Sequence, residues 1–166
     1  PACIDSNWNI QNVVIDPSQS YYTKSIGLGE ATPRTNATPV MKLGMNEAFR
    51  PGFNTKFQLI VRNDGNQEIS GGGIVLTIPP DVTFQGSPYL YTEIAPNKIR
   101  FQFVTVALGS ALSIPVTLKL ASTVPLSISV PFEISLDTIT GETILSDNHA
   151  TFSFITVGSY DPNDTS

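Results

Sequence analysis

Two strictly alternating runs dominate the chain. Leu112, Ile114, Val116, Leu118 and Leu120 are apolar and are separated by Ser113, Pro115, Thr117 and Lys119. After Ala121-Ser122-Thr123 the alternation resumes with Ile128, Val130, Phe132, Ile134 and Leu136, spaced by Ser129, Pro131, Glu133 and Ser135. Successive strand side chains point to opposite faces, so each run predicts a ribbon with one apolar and one wet side. Pro115 and Pro131 fall on the wet sides. Proline cannot donate to a ladder, which predicts that one or both strands lie at a sheet edge.

The same period recurs elsewhere. Lys56 to Asn63 places Phe57, Leu59 and Val61 on one face, and Ile99, Phe101 and Phe103 share another. Ile74 to Ile78, Val82 to Gln85 and Thr151 to Val157 read as further strands, Tyr89 to Ile94 as an edge strand, and Val40 to Met45 as a brief pairing. Turn signals divide them: Arg50-Pro51-Gly52, Asn63-Asp64-Gly65-Asn66, Pro79-Pro80-Asp81, Gly86-Ser87-Pro88, Pro96-Asn97 and Thr140-Gly141-Glu142. Gly71-Gly72-Gly73 predicts a bulge or a close approach between strands. Seven to nine short strands with a turn every 8–12 residues are the signature of an all-β, Ig-like antiparallel sandwich. Crossover helices for a parallel sheet are missing.

Toward the N-terminus the pattern loosens. Asn9 to Ile15 reads as a strand stopped by Asp16-Pro17, and residues 18–39 are rich in Gly, Thr, Ser, Asn and Pro, with a short strand near Tyr21-Tyr22. So long an unpatterned stretch marks a boundary region. The expected organisation is an extended segment over 1–48, a sandwich over 49–157 and an acidic linker over 158–166. The pattern is compatible with 1–48 packing on the sandwich or belonging to a preceding unit.

Composition narrows the function classes. The 166 residues are 40% hydrophobic and 14% charged, with thirteen prolines and a net charge of −5. That charge, with no Lys/Arg cluster, argues against nucleic acid and anionic membrane as partners. Cys3 is the single cysteine, so no internal disulfide supports the fold. No apolar run reaches the roughly 18 residues of a membrane span. A leader is missing and Pro1 is no native start, which fits a piece of a longer polypeptide.

Catalytic chemistry is hard to assemble. His149 is the only histidine, and it reads as a turn residue at the entrance of the last strand. Neither G-x-S-x-G nor H-E-x-x-H occurs, and Gly71-Gly72-Gly73 lacks the Lys-Ser/Thr of a phosphate loop. Two binding chemistries remain. Asp161, Asn163 and Asp164 offer hard oxygen ligands in a turn stiffened by Pro162, as Ca²⁺ prefers; the alternative is a solvated turn opening a linker. Asp147 and Asn148 enter the last strand from its other end, too far away to share an ion with that tail. Among Trp8, Tyr21, Tyr22, Tyr89 and Tyr91, the pair Tyr89 and Tyr91 would share one strand face as a sugar platform; partial burial is the alternative.

Several strings resemble a known module. Arg50-Pro51-Gly52-Phe53, Val61-Arg62-Asn63-Asp64-Gly65, Ile78-Pro79-Pro80-Asp81-Val82-Thr83-Phe84 and Val124-Pro125-Leu126 resemble an Ig-like repeat of large secreted Bacteroidota proteins. Asp147-Asn148-His149-Ala150 followed by Val157-Gly158-Ser159-Tyr160-Asp161-Pro162-Asn163-Asp164 is similar to its inter-module junction. Departures are Ser127 for the usual Gly, His149 for Asn and Thr165 for Lys. The resemblance implies a non-catalytic spacer or adhesion module, exported by type IX secretion to the cell surface. Its expected partners are neighbouring domains of the same polypeptide, an extracellular polysaccharide or another surface protein. Asp137-Thr138-Ile139 resembles the short O-glycosylation site of that phylum.

Overall fold

Each alternating run is a strand in the computed structural model, which describes residues 32–158. The chain divides into two units, Pro1–Pro33 and Arg34–Ser166, and the described residues of the second hold nine strands. These are β1 (Ala37–Leu43), β2 (Asn54–Asn63), β3 (Ile69–Thr77), β4 (Val82–Gly86), β5 (Tyr91–Ala95), β6 (Lys98–Val106), β7 (Ala111–Leu120), β8 (Ser129–Leu136) and β9 (His149–Ile155). They form two antiparallel sheets, ordered β1-β2-β7-β4 and β5-β6-β3-β8-β9. The fold is an all-β, Ig-like sandwich, as the alternation predicts. The expected strands around Asn9–Ile15 and Tyr21-Tyr22 lie outside the described residues, as do Cys3 and Trp8.

Alternation becomes burial because each sheet packs on one face only. Phe57, Leu59 and Val61 of β2 meet Ile114, Val116, Leu118 and Leu120 of β7 and, across the gap, Phe132 and Ile134 of β8; all are essentially inaccessible. Four rings hold one end of this core. Phe57 stands edge-on to Phe49 at 5.3 Å and to Phe154 at 5.0 Å, and Phe132 tilts against Phe49 and Phe57 and stands edge-on to Phe154, all within 5.8 Å. Such contacts add roughly 0.5–1.5 kcal/mol each beyond area burial.

Three expectations are corrected. Neither proline-bearing strand is an edge strand: β7 lies between β2 and β4, and β8 between β3 and β9. Their neighbours stop short instead. β4 pairs with β7 only over Thr117 to Leu120, and β3 with β8 only over Glu133 to Leu136. Pro115 and Pro131 thus sit where one ladder has ended, so their missing N–H groups cost no bond. Secondly, the N-terminal pairing is longer than expected, running over all seven residues of β1 against Asn63 to Phe57. Among the described residues, 37–43 of the extended segment are therefore the edge strand of the first sheet, with Pro39 third in it. Thirdly, Gly71-Gly72-Gly73 lies inside β3 rather than before it. A Cβ on Gly72 would fall 2.6 Å from the Phe103 ring, and one on Gly73 would strike Asp137 and Arg100. Close approach is the reason for Gly72 and Gly73, and a φ of +78° is the reason for Gly71.

Candidate functional site

The chain enters the sandwich at one pole and leaves it at the other, and its polar chemistry gathers at these two places. At the entry pole the Asn63-Asp64-Gly65-Asn66 turn grips the incoming segment. Asn66 N donates to Arg34 O at 2.8 Å, Asp64 N to Asn36 O at 2.9 Å, and Arg34 N to Asn66 Oδ1 at 2.6 Å. The turn lies so close that a Cβ on Gly65 would sit 2.3 Å from Arg34 O, which excludes any other residue there. Asn63 is buried and braces the turn from inside, donating Nδ2 to Gln67 O and Val106 O while accepting from Gly65 N.

Beside this clamp lies a cluster of carboxylates and amides that joins β1 to the β8–β9 connection. Asn36 Nδ2 donates to Asp147 Oδ2 at 3.1 Å, and the Thr38 hydroxyl reaches the same oxygen at 3.4 Å. Ala37 N donates to Glu142 Oε1 at 2.8 Å, and Asn148 Nδ2 to Glu142 Oε2 at 2.7 Å. Ile139, buried in the core, anchors the loop that carries Glu142. Asn36 is 5% exposed and Asn148 9%. Asn36 Oδ1, Asp147 Oδ1 and Asn148 Oδ1 are buried without a hydrogen-bond partner; among the described residues only Arg50 Nε shares that condition. Each such oxygen costs about 1–3 kcal/mol.

Asp64 closes the outer side of the entry pole. Burial acts upward on its carboxyl, but hydrogen bonds from Arg62 and Thr38 and the charges of Arg62 and Arg34 outweigh it, holding the group below the usual carboxylate range. Arg62 supplies the closest contacts, with Nη2 2.8 Å from both Asp64 oxygens.

At the exit pole Thr156 is the fastener. Its hydroxyl donates to Pro125 O at 2.8 Å and accepts from Ile128 N at 2.9 Å, while Thr156 N and O bond Ile128 O and Ser127 N. Val157 N then donates to Phe49 O at 3.0 Å. Leu126, Ile128, Ile155 and Val157 leave apolar surface exposed around this end.

The residues singled out from the sequence fall differently. Asp161, Asn163 and Asp164 lie outside the described residues, as do Tyr21 and Tyr22. Tyr89 precedes β5, and its amide donates to Ser87 Oγ at 3.1 Å; Tyr91 opens the strand, so the two do not share a strand face. The Tyr91 ring packs edge-on against Phe84 at 4.8 Å. His149 opens β9, exposed, with Nε2 4.0 Å from Glu133 Oε2. Asp137 is held by Arg100, and Thr138 beside it is exposed. Sequence reasoning passed over Asn36, Glu142 and Thr156. Asn36 lay in unpatterned sequence, Glu142 looked like a turn residue, and Thr156 looked like one more strand position.

No protein-family model matches this sequence, and a search of curated proteins returns none similar to it. Among solved structures the chain is similar to the CARDB domain of the PF1109 protein from Pyrococcus furiosus in complex with di-metal ions. Identity is 15% over 81% of this chain and 100% of that one, with a TM-score of 0.49. It is similar also to a non-cellulosomal cohesin from the archaeon Archaeoglobus fulgidus, at 15% identity over 74% of this chain and 91% of that one, TM-score 0.45. A third is BcpA, the major pilin subunit of Bacillus cereus, at 12% identity over 73% and 38%, TM-score 0.45. Likenesses this distant carry no residue's role to this chain.

Proposed function

We propose that the chain is a non-catalytic, Ig-like spacer or adhesion module of a larger cell-surface or secreted bacterial protein, joined to further domains of the same polypeptide. One observation carries the reading, namely the path of the chain from pole to pole. Ala37, at the start of β1, is tied to Glu142 beside the start of β9, whereas Val157 leaves at the far end of β9, tied to Phe49. A tension applied along that path runs parallel to β1 and β9. It loads the β1–β2 and β8–β9 ladders in shear, where all their bonds resist together, since ladder bonds lie perpendicular to the strands. The sequence strings at the junction support the same reading, and with it an extracellular setting.

Pulling geometry tests this. With handles at Arg34 and Gly158, single-molecule unfolding is expected at a force several-fold above that found with handles at Arg34 and His149, which sit at one pole and peel the strands bond by bond. Forced unfolding reports the rate of crossing the barrier, so the comparison reads the path directly. Equal forces in the two geometries would remove the load-bearing reading.

A further inference from the structure

We propose that the open edge of β9 pairs with β9 of a second copy of this chain, antiparallel about a two-fold axis, so that the β5-β6-β3-β8-β9 sheet runs on from one copy into the other. Leu136 N donates to Asn148 O at 2.8 Å, and Thr156 N to Ile128 O at 2.9 Å. In the unbroken register between β8 and β9, these bonds assign Asn148, Ala150, Phe152, Phe154 and Thr156 to the hydrogen-bonded pairs with β8. His149, Thr151, Ser153 and Ile155 therefore turn their N–H and C=O groups to the other side. Among the described residues no strand pairs with β9 there. The other three sheet edges carry protection that β9 lacks. β1 holds Pro39 and an exposed Lys42. β4 and β5 have five residues each, and each shifts register against its neighbour. Proline, lysine, bulges and short length are the devices that keep sheet edges from pairing. β9 is seven residues, His-Ala-Thr-Phe-Ser-Phe-Ile, without proline, carboxylate, Lys, Arg or register shift.

The strand that fits this edge is β9 itself. An added strand must turn apolar side chains toward the core and uncharged ones outward. β9 has that alternation: Ala150, Phe152 and Phe154 are half-buried against the core, while Thr151, Ser153 and Ile155 are exposed. Pairing about Phe152 sets Thr151 opposite the second copy's Ser153, and His149 opposite its Ile155. All of these residues point their backbone groups across the seam, which gives about eight main-chain hydrogen bonds. On the core side the Phe152 residues of the two copies face each other in a close, non-hydrogen-bonded pair, and Ala150 meets the second copy's Phe154. Hydroxyl pairs and aromatic pairs across a ladder are favourable, and small stands against large. No like charges meet at the seam. The contact is isologous. Its affinity comes from main-chain bonds rather than from area, which places Kd at about 10–100 µM, in the transient class. The pairing goes beyond the spacer reading and does not depend on it.

The test is sedimentation velocity of the full 166-residue chain between about 5 and 500 µM, with reductant present so that Cys3 forms no cross-link. The mean mass is expected to rise from 17.9 kDa toward twice that value. Amide hydrogen exchange over the same range should slow about threefold or more at Thr151 and Ser153, and stay unchanged at Ala150 and Phe154, which β8 already protects. Thr151→Lys and Ser153→Glu alter exposed side chains and should each weaken association by about tenfold or more. An equimolar mixture of the two should recover it, because this register sets the introduced lysine opposite the introduced glutamate. A chain that stays at 17.9 kDa through about 500 µM overturns the proposal, whether or not the variants fold, and leaves the edge to a strand of another protein. Association that protects the amides of β1, β4 or β5 in place of Thr151 and Ser153 overturns it as well. So does association that survives either substitution, or a mixture that fails to recover it.

Discussion

Arg100 Nε lies 2.8 Å from Asp137 Oδ2, and the pair spans the outer face of β3 at Gly73, where no side chain stands. A Cβ at position 73 would come within 2.3 Å of the carboxylate oxygen and 2.9 Å of the guanidinium. Gly73→Ala is therefore expected to cost about 1–3 kcal/mol, the usual range for overpacking. In an Arg100→Ala background the cost should shrink, because the crowded partner is gone. Urea unfolding of the four proteins in this cycle measures the coupling.

Ser127 holds φ at +62° while its N–H donates to Thr156 O at 2.8 Å. A left-handed backbone costs a residue with a Cβ roughly 1–2 kcal/mol, and glycine avoids it at a smaller entropic cost in the unfolded chain. Ser127→Gly should stabilise the domain by about 0.5 kcal/mol, read as a higher urea midpoint at unchanged slope.

Asp64 makes stability depend on acid. Its folded pKa lies below the unfolded value, so its contribution is present above the unfolded pKa of about 3.8 and disappears as pH falls through the folded value. Solvent reaches the Arg62 pair, with side-chain exposures of 52% and 32%, and limits the effect to about 1 kcal/mol. Asp64→Asn should be less stable than the parent at neutral pH and indistinguishable from it near pH 2. Unfolding curves at the two pH values make the comparison.

Tyr91 separates a fastening from a recognition role. Its ring braces β5 against Phe84 and Phe101. Tyr91→Phe keeps that packing and should change stability by less than about 0.5 kcal/mol, whereas Tyr91→Ala should cost about 1–2 kcal/mol. On a glycan array neither substitution is expected to abolish a signal. Defined polysaccharide binding that disappears in Tyr91→Phe would instead make this face a sugar site.

The sandwich was legible because its faces are one-sided. From Leu112 to Leu136 every core position follows period two, and the structure buries most of them. Less of β1 and β3 was legible: Ala37-Thr38-Pro39 and Gly71-Gly72-Gly73 carry little apolar surface, and long-range pairing, not propensity, makes them strands. The prolines misled because a strand can be interior along part of its length and open along the rest. The entry-pole cluster could not be read at all. Asn36 meets Asp147 across 111 positions and Ala37 meets Glu142 across 105, and one sequence carries no record of that meeting.

The central claim is that the chain runs through the sandwich from pole to pole, and a distance measures it most directly. In a Cys3→Ser background, spin labels at Thr35→Cys and Val157→Cys report the entry and exit points by double electron–electron resonance. With seven residues in β9 at about 3.3 Å each, a single population at roughly 25–30 Å is expected. A distribution centred below about 15 Å would put both ends at one pole and contradict the account.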